Sequence, residues 1–175
     1  MQSSHDIKHK IYLCNISSAD TNHAIKSNAE LALSAIGFNN WVFACENPNS
    51  ILGMSHLLSG LTFQWITKYL TKGYVYIDPI VKHCREFEDP LIWDVINGWD
   101  SATDDVKNFM RDIHTSGFGS GMAIPLRSPR GTKGVLSLVK PQPLADAKAS
   151  YLQNMETVRD IGIAIYSAIE RITSK

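Results

Sequence analysis

Residues 65–93 (WITKYLTKGYVYIDPIVKHCREFEDPLIW) gather aromatics around one acidic side chain, with the residue types and spacings of a small-molecule cage. Trp65 and Tyr69 stand four apart, so on a helix both project from one face. Asp78 follows Tyr74-Val75-Tyr76-Ile77 and precedes Pro79, while Trp93 closes a second apolar cluster, Pro90-Leu91-Ile92-Trp93. A carboxylate among apolar neighbours can accept a hydrogen bond from a ligand N–H. Asp-Pro is equally the pattern of a helix N-cap with a first-turn proline. One side chain can do both, since a carboxylate offers about four acceptor sites. The N–H of Trp65 and the O–H of Tyr69 need partners once buried, which a bound carbonyl can supply, although core packing is the commoner fate of such a pair. Ser137, in VLSLV, shares a strand face with Val135 and Val139, so its hydroxyl needs a group opposite or a backbone partner. These residues can recognise a molecule; they do not assemble into a reaction centre.

Signals for catalysis or metal binding fail on spacing. SGFGSG (residues 116–121) lacks the dinucleotide-binding glycine pattern, and Ser120 lacks the flanking glycines of a nucleophile elbow. The six histidines are scattered, and His83 beside Cys84 has no second pair to complete a zinc shell. Glu86, Glu88, Asp89, Asp104 and Asp105 sit in polar settings that indicate exposed surface. An enzyme, a cofactor and a metal are therefore not expected.

The elements that must position these residues follow from periodicity. A helix is expected over 20–36, with apolar positions Ile25, Ala29, Ala32, Leu33 and Ile36 and Gly37 as its C-terminal cap. WVFACE (41–46) is apolar on both alternating faces, which suits a strand covered on both sides, and a second strand is expected over 54–58. Helices are expected over 62–70, 78–86 and 104–115, with Gly73 separating the first two. Strands over 119–126 and 134–139 form a hairpin punctuated by Pro129, Gly131 and Gly134. From Tyr151 to Ile172 apolar or small residues recur at alternating intervals of four and three, the mark of a long amphipathic helix. This order implies an α+β fold, an α/β/α sandwich around an antiparallel sheet.

The chain has 175 residues, 44% of them hydrophobic, enough for one domain with its own core. Its 17 basic and 17 acidic residues balance, which argues against gripping a phosphate backbone. Three cysteines at no metal-like spacing fit a reducing cytosol. The N-terminus lacks the apolar core of a signal peptide, and no apolar run is long enough to span a bilayer, so a cytoplasmic protein without membrane contact is expected.

The ordered set W-x3-Y (Trp65, Tyr69), Y-x-x-I-D-P-I (residues 74–80), P-L-x-W (90–93), G-x3-G-x3-P (Gly117, Gly121, Pro125) and G-x-L-S (134–137) resembles the autoinducer-binding domain of LuxR-type quorum-sensing regulators. The match runs from about Asp20 into the final helix. The resemblance implies a central five-stranded antiparallel sheet flanked by helices, PAS/GAF-like, with an acyl-homoserine lactone buried between the sheet and one helical layer. Carried onto this chain, Trp65 would donate to the lactone carbonyl, Asp78 would accept from the amide N–H, and Ser137 would donate to the amide carbonyl. Trp93 and Phe109 would wall the lactone ring, Tyr69, Val81 and Ile113 would add pocket surface, and Val42 and Ala44 would meet the acyl tail. Two positions depart from the pattern. Leu61 stands where many members have a tyrosine that helps bind the amide carbonyl, a hydrogen bond worth roughly 0.5–1.5 kcal/mol, and Ile80 stands where some have threonine.

A homodimer is implied, with the last helix contributing. Family members usually continue into a helix-turn-helix domain, whereas this sequence stops at Lys175. The expectation is a single ligand domain over residues 1–175 without direct nucleic-acid contact, trimmed from a transcription factor; a natural short form that sequesters full-length partners is the competing explanation. A PAS/GAF-like sensor of a different small molecule is the alternative function.

Overall fold

The computed structural model describes residues 4–46, 54–128 and 131–174. Two strands, β1 (Asn40–Glu46) and β2 (Met54–Ser59), precede three further ones, β3 (Leu91–Asp94), β4 (Ser120–Arg127) and β5 (Lys133–Lys140). They form one antiparallel sheet in the order β2-β1-β5-β4-β3. The hairpin expected from the glycines joins β4 and β5; Pro129 of its connection lies outside the described residues.

Alternation along the strands divides the core in two. Trp41, Phe43 and Cys45 of β1, Met122 and Ile124 of β4, and Leu136 and Leu138 of β5 face one side. There they meet α1 (Ser4–Ser18), α2 (Asn22–Ala35) and α6 (Leu144–Thr173), whose Ile16, Ile25, Leu33, Tyr151, Val158 and Ile165 are fully buried. The opposite positions, Ala44, Ala123 and Val135, face α3 (Phe63–Thr71), a 3-10 turn at Tyr74–Tyr76, α4 (Pro79–Glu86) and α5 (Asp104–Thr115). In the first layer the strands contribute large side chains, Trp41, Phe43, Met122, Ile124, Leu136 and Leu138. The second sets small strand residues opposite long helix residues, and room for a molecule arises there.

Local signals set the helix ends. Thr21, Thr62 and Thr103 each accept an N-terminal amide of α2, α3 and α5, and Asp78 does so for α4. Gly37, at φ +84, ends α2 as expected. Ser120 is fully buried; its hydroxyl donates to Gln142 O at 2.8 Å, and the Tyr151 hydroxyl donates to its carbonyl at 3.0 Å, a structural employment for that serine.

Two elements go beyond the sequence reading, which assigns nothing before Asp20 and no strand at residues 91–94. In α1, Ile7 and Ile11 point to solvent while Tyr12, Leu13 and Ile16 pack inward, so the apolar residues make no single stripe. In β3, four residues after a proline are too few to display alternation.

Candidate functional site

Between the sheet and the cover of α3, α4 and α5 lies a cavity of about 100 Å³. A single water needs roughly 10–15 Å³ on this scale, so the hollow admits far more than one. The structure brings together on its wall Leu61, Trp65 and Tyr69 from the α3 region, Asp78 and Val81 from α4, Trp93 from β3, Phe109 and Ile113 from α5, and Val42, Ala44 and Ser137 from the sheet. Every side chain expected at the site is thus on one cavity. Leu57, Ile66, Leu70, Ile80, Phe118, Val135 and Val139 complete the wall without having been expected there. Val135 and Val139 follow from the alternation around Ser137, and Leu57 from its pairing with Ala44. Phe118 stands in the turn after α5, where no periodicity marks it.

Asp78 is the most constrained member. Its backbone is extended (φ −62, ψ 110), and Oδ1 accepts from the amides of Ile80 at 2.8 Å and Val81 at 3.3 Å, with Pro79 in the first turn. Oδ2 accepts from the Tyr69 hydroxyl at 2.8 Å. The N-cap and a place on the cavity therefore coexist, and of about four acceptor sites three are taken. Burial pushes the carboxyl up to about 6, against the opposing pull of Tyr69, the two amides and Arg85. The same burial, reinforced by the adjacent carboxylate, holds the Tyr69 phenol well above its ordinary value, so it stays a donor.

Trp65 follows Thr62 by one turn of α3, and Ser137 sits on β5, flanked by Val42 of β1 and Ala123 of β4. Neither the Trp65 indole N–H nor the Ser137 hydroxyl makes a hydrogen bond to another described residue. The Trp65 N–H, the Ser137 O–H and one spare acceptor position of Asp78 thus remain on a largely apolar wall, with the Trp93 N–H as a third donor there. Among the described residues, the wall includes no Lys, Arg or His.

Trp93 lies flat against β4. A Cβ on Gly121, its partner across the strands, would stand 2.2 Å from the ring, so only glycine leaves room for the indole. Among the described residues, the buried Trp93 N–H has no hydrogen-bond partner. Behind the wall, the Tyr74 ring packs 4.7 Å from Phe109 and 6.0 Å from Tyr69. The Tyr74 hydroxyl donates to Asp112, which also pairs with Lys68 at 3.0 Å and Lys72 at 2.9 Å. Burial alone would raise the Asp112 carboxyl, but the hydrogen bonds from Tyr74, Lys72 and Lys68 outweigh it and hold it far below the usual carboxylate range. This cluster braces α3 against α5 on the outside of the cavity.

Residues 21–169 match the family model for the autoinducer binding domain. The transcriptional activator protein AnoR of Acinetobacter nosocomialis is 30% identical over 117 residues, covering 66% of this chain and 46% of that protein. The chain spans about half or less of the length of the curated relatives it matches. Among solved structures, the N-acylhomoserine lactone dependent LuxR family transcription factor CepR2 of Burkholderia cenocepacia superposes with a TM-score of 0.79 at 22% identity, covering 98% of this chain and 100% of that one. SdiA in complex with octanoyl-rac-glycerol gives 0.67 at 15% identity, covering 95% and 68%. At these identities the superpositions establish the fold.

Proposed function

This chain belongs to the autoinducer-binding domain family of LuxR-type transcription regulators, and we propose that it binds one N-acyl-homoserine lactone in the cavity beneath α3. The observation that carries this reading is the match between unpartnered groups and ligand chemistry. An acyl-homoserine lactone offers two carbonyl acceptors and one amide donor on a hydrocarbon body. Trp65 Nε1–H would take the lactone carbonyl, Ser137 Oγ–H the amide carbonyl, and the free acceptor position of Asp78 the amide N–H. Phe109 and Trp93 would flank the ring, with Tyr69 orienting Asp78 through its 2.8 Å hydrogen bond. Val81, Ile113, Leu61, Val42 and Ala44 would supply apolar contact. An uncharged ligand suits a wall with one carboxylate and no cation.

Each methylene brought from water into this space contributes roughly 0.8 kcal/mol, and a ligand bound only by the folded state stabilises it by mass action. Sensing would then be a gain of folded, dimer-competent protein, acting in the cytoplasm and read out as control of transcription. Among the described residues no helix is long and apolar enough to cross a membrane.

A second ligand class has one specific support: a matched SdiA structure holds octanoyl-rac-glycerol, and Asp78 can accept from a hydroxyl as readily as from an amide. Melting curves with homoserine lactones, monoacylglycerols and unrelated metabolites separate the readings. The lactone reading expects the largest rise with a lactone; a larger rise with an acylglycerol of equal tail would replace it.

A further inference from the structure

Of the three helices that cover the cavity, α3 is held least by packing. Its nine residues bury only Trp65, whereas α4 buries Ile80 and Cys84, and α5 buries Phe109, Met110 and Ile113. The inward side chains of α3, Trp65, Ile66, Tyr69 and Leu70, line the hollow itself, so its apolar face rests largely on space that a ligand would fill. Leu57, on edge strand β2, lines the cavity and is also 36% exposed, so the rim runs along that edge of the sheet. Helix α3 follows β2 directly in the chain.

The fastenings of α3 differ between its ends. Its root is fixed to the sheet: the Gly60 amide donates to Trp41 O at 2.9 Å, and the Leu61 amide to Ser59 Oγ at 2.9 Å. Toward the C-terminus the holds are side chains only. Tyr69 donates to Asp78, while Lys68 and Lys72 reach Asp112 Oδ2 of α5 at 3.0 Å and 2.9 Å. Tyr74 also donates to Asp112, but it is buried beyond Gly73 and so belongs with α5.

We propose that α3 is the door through which ligand enters and leaves the cavity, with the Lys68–Asp112 and Lys72–Asp112 pairs as its latch. The proposal rests on the reading of this cavity as the ligand site, and it holds for a lactone or an acylglycerol head alike. Lys68 is 34% and Lys72 53% exposed, so water and salt compete for both. Each such pair favours the closed position by a factor of about one to five, enough to bias a door without locking it. Neither lysine lines the cavity, nor does Asp112. The latch therefore weights closure equally over an empty and a filled cavity. Loosening it speeds entry and exit together and leaves the dissociation constant in place.

The test is stopped-flow tryptophan fluorescence with octanoyl homoserine lactone and octanoyl-rac-glycerol as probes. Asp112→Asn keeps an oxygen for the Tyr74 hydroxyl, and with it the packing on Phe109, but removes the charge that holds the lysines. Association and dissociation rates should both rise about three- to tenfold, with their ratio within about twofold of the parent's. Replacing both lysines by Ala should do the same, and these exposed positions carry the test if Asp112→Asn fails to fold. Raising NaCl from about 0.05 M to about 0.5 M should speed both rates in the parent and not in the variants. Parent-like rates in the folded variants, or faster dissociation alone, overturn the door while leaving the site reading intact. So does a rise seen instead with Arg85→Ala, which loosens the Arg85–Glu46 pair between α4 and β1. Failure of both probes to bind the parent overturns both readings.

Discussion

Replacing Asp78 by Asn separates its structural work from its proposed binding work. The amide keeps a carbonyl for the Ile80 and Val81 amides, so the cap survives, and the Tyr69 hydroxyl can turn to accept from the new amide. In the parent without ligand, burial pushes the carboxyl up from its ordinary value of 3.8 to about 6. The folded state thus favours the neutral form: its stability is greatest at pH below the ordinary carboxylate value and falls as pH rises through about 6. At about 1.4 kcal/mol for each tenfold change in the protonation equilibrium, the charge costs the unliganded fold on the order of 2–3 kcal/mol at neutral pH. Asp78→Asn removes that cost, so unliganded protein at pH 7.5 should melt a few degrees higher and lose its acid-side gain. A ligand N–H, by contrast, would meet an N–H instead of an acceptor, and an unpaired buried donor costs about 1–3 kcal/mol. Melting curves with and without lactone, at pH 5.5 and 7.5, measure both effects. The variant should be at least as stable as the parent and should lose most of the ligand-induced rise. A variant that is less stable yet keeps the parent's full rise would refute the reasoning, since Asp78 would then be a cap alone.

Lactone binding should favour the ionised carboxyl, so calorimetry near pH 6 in two buffers of different ionisation enthalpy should show proton release, with affinity falling below that pH; proton uptake would contradict this. Gly121→Ala should displace Trp93, costing about 1–3 kcal/mol of stability by overpacking and lowering lactone affinity, as urea melts and titration can report. Trp65→Phe keeps the apolar bulk but removes the free N–H; affinity should drop by about 0.5–1.5 kcal/mol while the unliganded melting temperature stays near the parent's.

Much of the site was legible because its signals are local. Trp65 and Tyr69 share a helical face, Asp-Pro writes its own N-cap, and alternation in VLSLV places Ser137 between two valines on the cavity side. Val135 and Val139 could have been added by the same rule. What stayed hidden depends on contacts distant in sequence or on packing volume. Nothing in the chain says that the Tyr69 hydroxyl turns to Asp78 instead of a ligand, or that Asp112 gathers Lys68, Lys72 and Tyr74. Helix α1 escaped because its apolar residues are spread around the axis, and β3 because four residues cannot show a period.

A crystal structure of the chain soaked or grown with the lactone that raises its melting temperature most tests the central claim directly. The account predicts the lactone carbonyl within hydrogen-bond reach of Trp65 Nε1, the amide nitrogen on Asp78, the amide oxygen on Ser137 Oγ, and the tail running along β5 toward Ala44 and Val135. A ligand seated elsewhere, or one inside the cavity whose polar atoms ignore all three groups, would contradict it.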